Sequence, residues 1–70
     1  MMELDTGLPS IRKIQEFIKN KQQIELKLST GDSIVGRVLW QDAQYLCSLD
    51  ASDVLIIVTR AAIVYLKPVA

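Results

Sequence analysis

Hydrophobic residues recur with a helical period near the start of the chain, where a helix is predicted over residues 9–20. Its apolar face carries Ile11, Ile14, Phe17 and Ile18. Pro9 suits the first helical turn, whereas Ser10 could instead be the N-cap, so two starts remain open. A helix of about three turns is unstable alone in water, so we expect its apolar face to lie on a sheet.

Beyond Lys21 the pattern changes to a period of two, which predicts strands. Five are predicted, over residues 23–29, 33–40, 45–49, 54–58 and 63–66. Gly31 and Asp32 predict a tight turn, because glycine tolerates a positive φ and aspartate bonds nearby backbone. Gly36 predicts a sharp bend, a bulge or a close approach by another backbone inside the second strand, and Asp42 a turn after it. A mainly β chain with one N-terminal helix and five strongly bent antiparallel strands is typical of a small open barrel.

The run Val54–Val58 shows no alternation, which indicates a strand covered on both faces. So small a domain has too few elements to cover both faces of this strand, and we expect part of its surface to meet another chain. An open barrel also leaves strand edges unpaired, and pairing between copies in a closed ring removes them. By their spacing, Phe17 and Trp40 are predicted to lie in the core, and Cys47 is predicted to be core filler.

Composition narrows the possible functions. The 70 residues are predicted to form one domain over residues 9–68, after a flexible segment 1–8. One cysteine and no histidine exclude an internal disulfide, argue against a metal site, and indicate no cofactor. Eight basic and eight acidic residues balance to zero net charge, so only a local patch could indicate nucleic acid. Apolar runs too short for a membrane, and the acids Glu3 and Asp5 in place of a basic leader, predict a cytoplasmic protein.

The polar residues favour binding over catalysis. There is no histidine base and no convincing nucleophile, so we expect the protein not to be an enzyme. Arg12, Lys13, Lys19 and Lys21 lie on or just beyond the predicted helix. They form either an ordinary solvated face or a patch that contacts phosphates. Arg60, between two strands, could point into the pore of a ring, or could be a strand-end charge or an intersubunit ion pair.

Two motifs and the helix-first order resemble a known fold. Gly31, Gly36 and Asp42 have a spacing similar to the first Sm motif. Arg60-Ala61-Ala62-Ile63 stands where proteins of the bacterial Hfq family usually carry Lys-His-Ala-Ile. From residue 8 to residue 68 the chain therefore resembles the Sm-like fold, and most closely the Hfq family. Its Gly-Asp-Ser, Trp-Gln-Asp and Ala-Ala-Ile-x-Tyr sequences resemble the divergent cyanobacterial branch.

This resemblance implies a homohexameric ring that binds RNA on its faces and rim and pairs small regulatory RNAs with messenger RNAs. It also implies three groups of RNA-binding residues. The pore-side group is Ala43, Gln44, Arg60 and Ala61; the rim group is Arg12, Lys13, Lys19 and Lys21; the opposite-face group is Lys27, Gly31, Asp32 and Ser33. Gly31, Gly36 and Asp42 are implied to be structural.

Several of these positions depart from the family's pattern. Ala61 replaces the histidine of the pore-side motif. Ala43 and Gln44 stand where the family places a glutamine and an aromatic residue for uridine-rich ends. Lys27 replaces the tyrosine on which adenines stack. At the rim the arginine cluster is reduced to Lys19 and Lys21, with Ile18 in one of its places. Lysine keeps the charge but lacks the planar fork that stacks and grips bidentately.

Two functions follow from this combination. The first is an Hfq-like RNA chaperone and post-transcriptional regulator that binds RNA weakly, mainly through phosphates. The alternative is a protein-binding adaptor ring with little RNA binding. Resemblance to the cyanobacterial branch suggests pilus and motility machinery as its partner. The sequence favours the first.

Overall fold

The computed structural model describes residues 7–69 as one helix and five strands. In chain order these are α1 (Pro9–Lys19), β1 (Ile24–Leu28), β2 (Ser33–Gln41), β3 (Tyr45–Asp50), β4 (Leu55–Thr59) and β5 (Ile63–Pro68), with a short 3-10 helix, Arg60–Ala62, between β4 and β5. The predicted order of elements is confirmed. Residues 1–6 of the segment predicted to be flexible lie outside the described residues.

Helix α1 begins at Pro9, which has no backbone N–H to leave unpaired at the first helical position. Leu8 is extended and occupies the N-cap position. Ser10 therefore lies inside the helix, and of the two starts that the sequence left open, the one at Pro9 is found.

The C-terminal end of α1 is closed by two backbone hydrogen bonds. The N–H of Lys21 donates to the carbonyl oxygen of Ile18 at 3.2 Å, and the N–H of Gln22 donates to that of Phe17 at 2.9 Å. These bonds form a Schellman motif. Lys21 has the left-handed φ of 51° that this motif requires, at a position that glycine usually fills. The backbone of Lys21 is therefore strained.

The five strands form one antiparallel sheet in the order β4-β3-β2-β1-β5. Strand β2 pairs with β1 along its first half and with β3 along its second half. Gly36 lies where the two halves meet, and a Cβ atom at this position would lie 2.8 Å from the Cα of Asp50. A register shift between Val38 and Trp40 bends the strand further. The sheet therefore curves into an open barrel, with β4 and β5 at its two edges.

The inner face of the sheet, which we define as the side that faces α1, carries the core. Its buried cluster is Ile24, Leu26, Val38, Leu46 and Val58, with Ile14, Phe17 and Ile18 of α1 packed against it. Cys47 is fully buried, as predicted. The core prediction for Trp40 is wrong, because its side chain is 44% exposed. The register shift places Trp40 opposite Cys47 on the outer face, the side away from α1.

Strand β4 is covered on one face within this chain. Val58 is buried on the inner face, whereas Leu55 and Ile57 are each more than half exposed on the outer face. The uninterrupted apolar run predicted that both faces of β4 are covered. Within residues 7–69 of one chain only its inner face is covered. The outer face of β4 is thus the surface where we expect contact with another chain.

Ser48 is the residue of the core whose replacement should not destabilise the protein. Its hydroxyl is fully buried and has no hydrogen-bond partner within residues 7–69. Since an unpaired buried hydroxyl is unfavourable, Ser48→Ala should leave the free energy of unfolding unchanged or raise it by up to about 1 kcal/mol. Urea-induced unfolding followed by circular dichroism measures this.

The neighbouring Cys47 provides the matched control. Cys47→Ser replaces the thiol with a hydroxyl at an equally buried position of the same strand. It should lower the free energy of unfolding by about 1–3 kcal/mol, the opposite sign. A clear loss of stability in Ser48→Ala would show that the Ser48 hydroxyl is satisfied in solution.

Candidate nucleic-acid interface

The turn between β2 and β3 forms the floor of the predicted pore-side site. The carboxylate oxygen Oδ1 of Asp42 accepts hydrogen bonds from the backbone N–H groups of Gln44, at 2.9 Å, and Tyr45, at 2.6 Å. The N–H of Asp42 in turn donates to the carbonyl oxygen of Tyr45 at 2.9 Å. An aspartate that bonds the backbone ahead of it in this way fixes a turn. Asp42 thereby sets where the side chains of Ala43 and Gln44 lie.

Arg60 lies directly against this turn. Its backbone N–H donates to the carbonyl oxygen of Gln44 at 2.8 Å, and its side-chain Nε donates to the carbonyl oxygen of Asp42 at 2.7 Å. Partial burial lowers the pKa of the Arg60 guanidinium and the negative charge of Asp42 opposes this, but an arginine pKa stays high enough to keep the charge at neutral pH. The fold therefore holds a fixed cation beside Ala43 and Gln44, with Ala61 exposed next to it.

Gln41 connects this cation to the helix. Its side-chain oxygen accepts a hydrogen bond from Nη2 of Arg60 at 2.5 Å. Its amide nitrogen donates to the carbonyl oxygen of Ile11 at 3.2 Å and to the side-chain oxygen of Gln15 at 2.8 Å. Sequence reasoning ended the second strand at residue 40 and missed this role of Gln41. No spacing along the chain could have indicated it, since the three partners come from α1 and from the segment after β4.

The four predicted rim residues occupy different environments. Arg12 and Lys19 line a shallow depression of about 400 Å³ together with Gln15 and Glu16. Lys13 points elsewhere: its ammonium lies 3.2 Å from a carboxylate oxygen of Glu16 and 5.8 Å from the centre of the Phe17 ring. Lys21 lies beyond the helix in its left-handed position. Arg12 and Lys19 are therefore the rim cations that share one concave surface.

The predicted opposite-face residues come together at the turn between β1 and β2. Gly31 has the left-handed φ of 97° that this turn requires. Nζ of Lys27 donates to the carbonyl oxygen of Gly31 at 2.8 Å, and Ser33 lies opposite Lys27 in the β1–β2 ladder. A carboxylate oxygen of Asp32 accepts a hydrogen bond from the Thr30 hydroxyl at 2.8 Å. Lys27 thus closes the turn, and this bond holds its exposed ammonium beside the turn.

The antiparallel ladder between β1 and β5 places Tyr65 directly opposite Lys27. Its side chain is 41% exposed. Tyr65 was not among the predicted site residues, because the register between β1 and β5 joins segments far apart in the chain. An exposed aromatic side chain thus lies beside the lysine of the opposite-face group.

Two features are absent from residues 7–69: a cluster of side chains that could bind a metal ion, and a helix that could span a membrane. No three histidine, cysteine, aspartate or glutamate residues of this part lie close enough together to hold a metal ion. No helix of the same part is long and apolar enough to cross a membrane. What the described residues do offer is basic and amide side chains held at turns and on a helix.

One helix packed on a strongly bent, five-stranded antiparallel sheet defines an Sm-like protein. A family model described as "Hfq related" matches residues 8–68, so the chain belongs to the Hfq family. The family consists of RNA-binding Sm-like proteins that are not enzymes. The resemblance inferred from the sequence motifs is confirmed.

A solved structure supports the same assignment. The chain is similar to the crystal structure of an Hfq protein from Anabaena sp., with 47% sequence identity and a TM-score of 0.81 over 89% of this chain and 98% of that chain. Since that relative is cyanobacterial, it agrees with the predicted branch of the family. No curated protein matches.

Proposed function

We propose that this protein is an Hfq-like post-transcriptional regulator that binds RNA, mainly through phosphates, as a homohexameric ring in the cytoplasm. The observation that carries the proposal is the position of Arg60. Its guanidinium is bonded to the carbonyl oxygen of Asp42 at 2.7 Å and lies against the turn that bears Gln44. A fixed cation beside an exposed amide is suited to a phosphate and its neighbouring nucleotide.

The side chains that differ from the family's pattern make the recognition of individual bases weak. Ala43 and Ala61 have only methyl groups, which neither donate nor accept hydrogen bonds to a base edge. The cations Arg12, Lys19 and Arg60 retain their charge and contact phosphates irrespective of sequence. Affinity therefore comes from charge, and discrimination between RNA sequences is modest.

Ring assembly is supported by the two free edges of the sheet. Strand β4 has exposed Leu55 and Ile57, and strand β5 has exposed Val64. Neither edge has a second strand partner within residues 7–69. Joining the β4 edge of one copy to the β5 edge of the next pairs both, and repeats the phosphate contacts around the ring. Native mass spectrometry tests this, and a monomer at micromolar concentration would contradict it.

The RNA proposal is tested by the salt dependence of binding. Fluorescence anisotropy with short uridine-rich and adenine-rich RNAs should show affinity falling steeply with salt, with a slope of log K against log salt of about −0.7 for each phosphate contact. Undetectable binding of both RNAs at low salt would contradict the proposal. In that case, recovery of a protein partner in a pull-down would favour the adaptor ring. The adaptor ring and its pilus machinery stay a prediction from the sequence.

Lys21 offers a pair of variants that separates charge from folding. Lys21→Gly and Lys21→Ala both remove one rim cation, so each should reduce the magnitude of the salt slope by about 0.7 or more if Lys21 contacts a phosphate. Only glycine relieves the left-handed strain at φ 51°, so Lys21→Gly should be about 1 kcal/mol more stable than Lys21→Ala. Unchanged salt slopes in both variants would remove Lys21 from the RNA-binding surface.

A further inference from the structure

The outer face of the sheet carries a cluster formed by β1 and β5. In the ladder between these strands, Tyr65 lies opposite Lys27 and Lys67 lies opposite Glu25. Alternation along each strand puts these four side chains on the side away from α1, since Leu26 and Leu66 between them point to the core. The cluster therefore combines one exposed aromatic ring with two lysines and one carboxylate.

Contacts within the cluster hold the Tyr65 ring in place. Its hydroxyl donates to Oε2 of Glu25 at 2.8 Å. The ammonium of Lys67 lies 3.8 Å from the same oxygen and 5.6 Å from the centre of the ring. The hydrogen bond to Glu25, with smaller effects of desolvation and of the Glu25 charge, raises the pKa of Tyr65, so the hydroxyl stays a donor over a wider range of pH. An exposed ring that is already oriented loses little conformational freedom when something stacks on it.

Stacking on an aromatic ring, with cations for the adjoining phosphates, is how proteins bind single-stranded nucleic acid without reading its sequence. We propose that Tyr65 is a stacking platform for a base of single-stranded RNA on the outer face, with Lys27 and Lys67 beside the flanking phosphates. This inference rests on the proposed RNA-binding function. It adds to that function a surface whose stacking side chain comes from β5.

Trp40, another exposed aromatic residue, shows why Tyr65 is singled out. In the ladders Trp40 lies opposite Cys47, which in turn lies opposite Ile57. This row is apolar and contains no cation for a phosphate. Trp40 therefore serves as a matched control: its side chain is 44% exposed and that of Tyr65 is 41% exposed, but only Tyr65 lies among lysines.

Three variants of the full chain test the proposal with an adenine-rich RNA that contains 2-aminopurine, whose fluorescence is quenched by stacking. Tyr65→Leu should weaken binding by about fivefold to a hundredfold and abolish the quenching. Tyr65→Phe loses the bond to Glu25 but keeps the ring, so quenching should persist with a small loss of affinity. Trp40→Leu should bind like the wild type.

The outcomes distinguish the two proposals. If the wild type does not bind the RNA at low salt, the proposed function fails and the stacking site fails with it. If the wild type binds and folded Tyr65→Leu binds equally well with unchanged quenching, only the stacking site fails. If Tyr65→Leu does not fold, photocrosslinking of the RNA to the wild type decides: a crosslink at Tyr65 supports the site, and crosslinks confined to other residues overturn it.

Discussion

Gly36→Ala is expected to abolish or nearly abolish folding. A Cβ atom on Gly36 would lie 2.8 Å from the Cα of Asp50 and closer still to the carbonyl oxygen of Leu49. Both are backbone atoms of β3, which cannot turn aside as a flexible side chain does. Separating β2 from β3 would break the pairing that bends the sheet, so we expect a loss of about 3 kcal/mol or more. The total stability of a domain of this size is roughly 4–10 kcal/mol.

Circular dichroism and thermal unfolding measure this effect, and Gly31→Ala is its control. Gly31 has nothing within 4 Å of a Cβ atom, but its φ of 97° is unfavourable for alanine. Gly31→Ala should therefore cost about 1–2 kcal/mol, from backbone strain alone. If the two variants were equally stable, the close approach of β2 and β3 would not be the reason for glycine at position 36.

Arg60→Gln is expected to cause the largest loss of RNA binding among single charge removals. Arg60 is held at two points, by the carbonyl oxygen of Asp42 and the side chain of Gln41, so its remaining N–H groups are already oriented for a phosphate. A hydrogen bond to a charged group contributes about 1.5–3 kcal/mol, which corresponds to a loss of roughly tenfold to a hundredfold in affinity. Fluorescence anisotropy at low salt measures it, and an effect no larger than that of Lys19→Ala would contradict it.

Gln41→Ala separates the orientation of Arg60 from its charge. The variant keeps every cation but removes the amide that joins Arg60 to Gln15 and to the carbonyl oxygen of Ile11. We expect an intermediate loss of affinity with an unchanged salt slope, because the number of phosphate contacts stays the same. Arg60→Gln should lower the magnitude of the slope. If Gln41→Ala matched the wild type in affinity, Arg60 would act only as a charge.

The sequence predicted the elements of this fold because local chemistry decides them. The helical spacing of Ile11, Ile14 and Phe17, and the period of two in β1, follow from which side chains share a face. Gly31 predicted its turn because few other residues tolerate a positive φ. Gly36 predicted a close approach, and the approaching strand proved to be β3. Together with Asp42, the motif at residues 60–63 and the helix-first order, these glycines carried the resemblance to the family.

Burial of individual side chains was harder to predict. The spacing of Trp40 indicated a core residue, but the register shift after Val38 reverses which face the following side chains occupy. One extra residue in a strand moves every later side chain to the other side of the sheet. Lys13 and Lys19 looked equivalent in the sequence, yet Lys13 pairs with Glu16 while Lys19 lines the depression with Arg12.

The sequence by itself determined the elements, the bend at Gly36 and the membership of the Hfq family. Only the tertiary structure decided that Gln41 joins Arg60 to the helix, and that Tyr65 stands opposite Lys27. The physical reason is the range of the interactions. Helix faces, strand alternation and turns arise between residues a few positions apart, whereas these two contacts depend on the register of segments about 20 and about 40 positions apart, which the folding of the whole sheet sets.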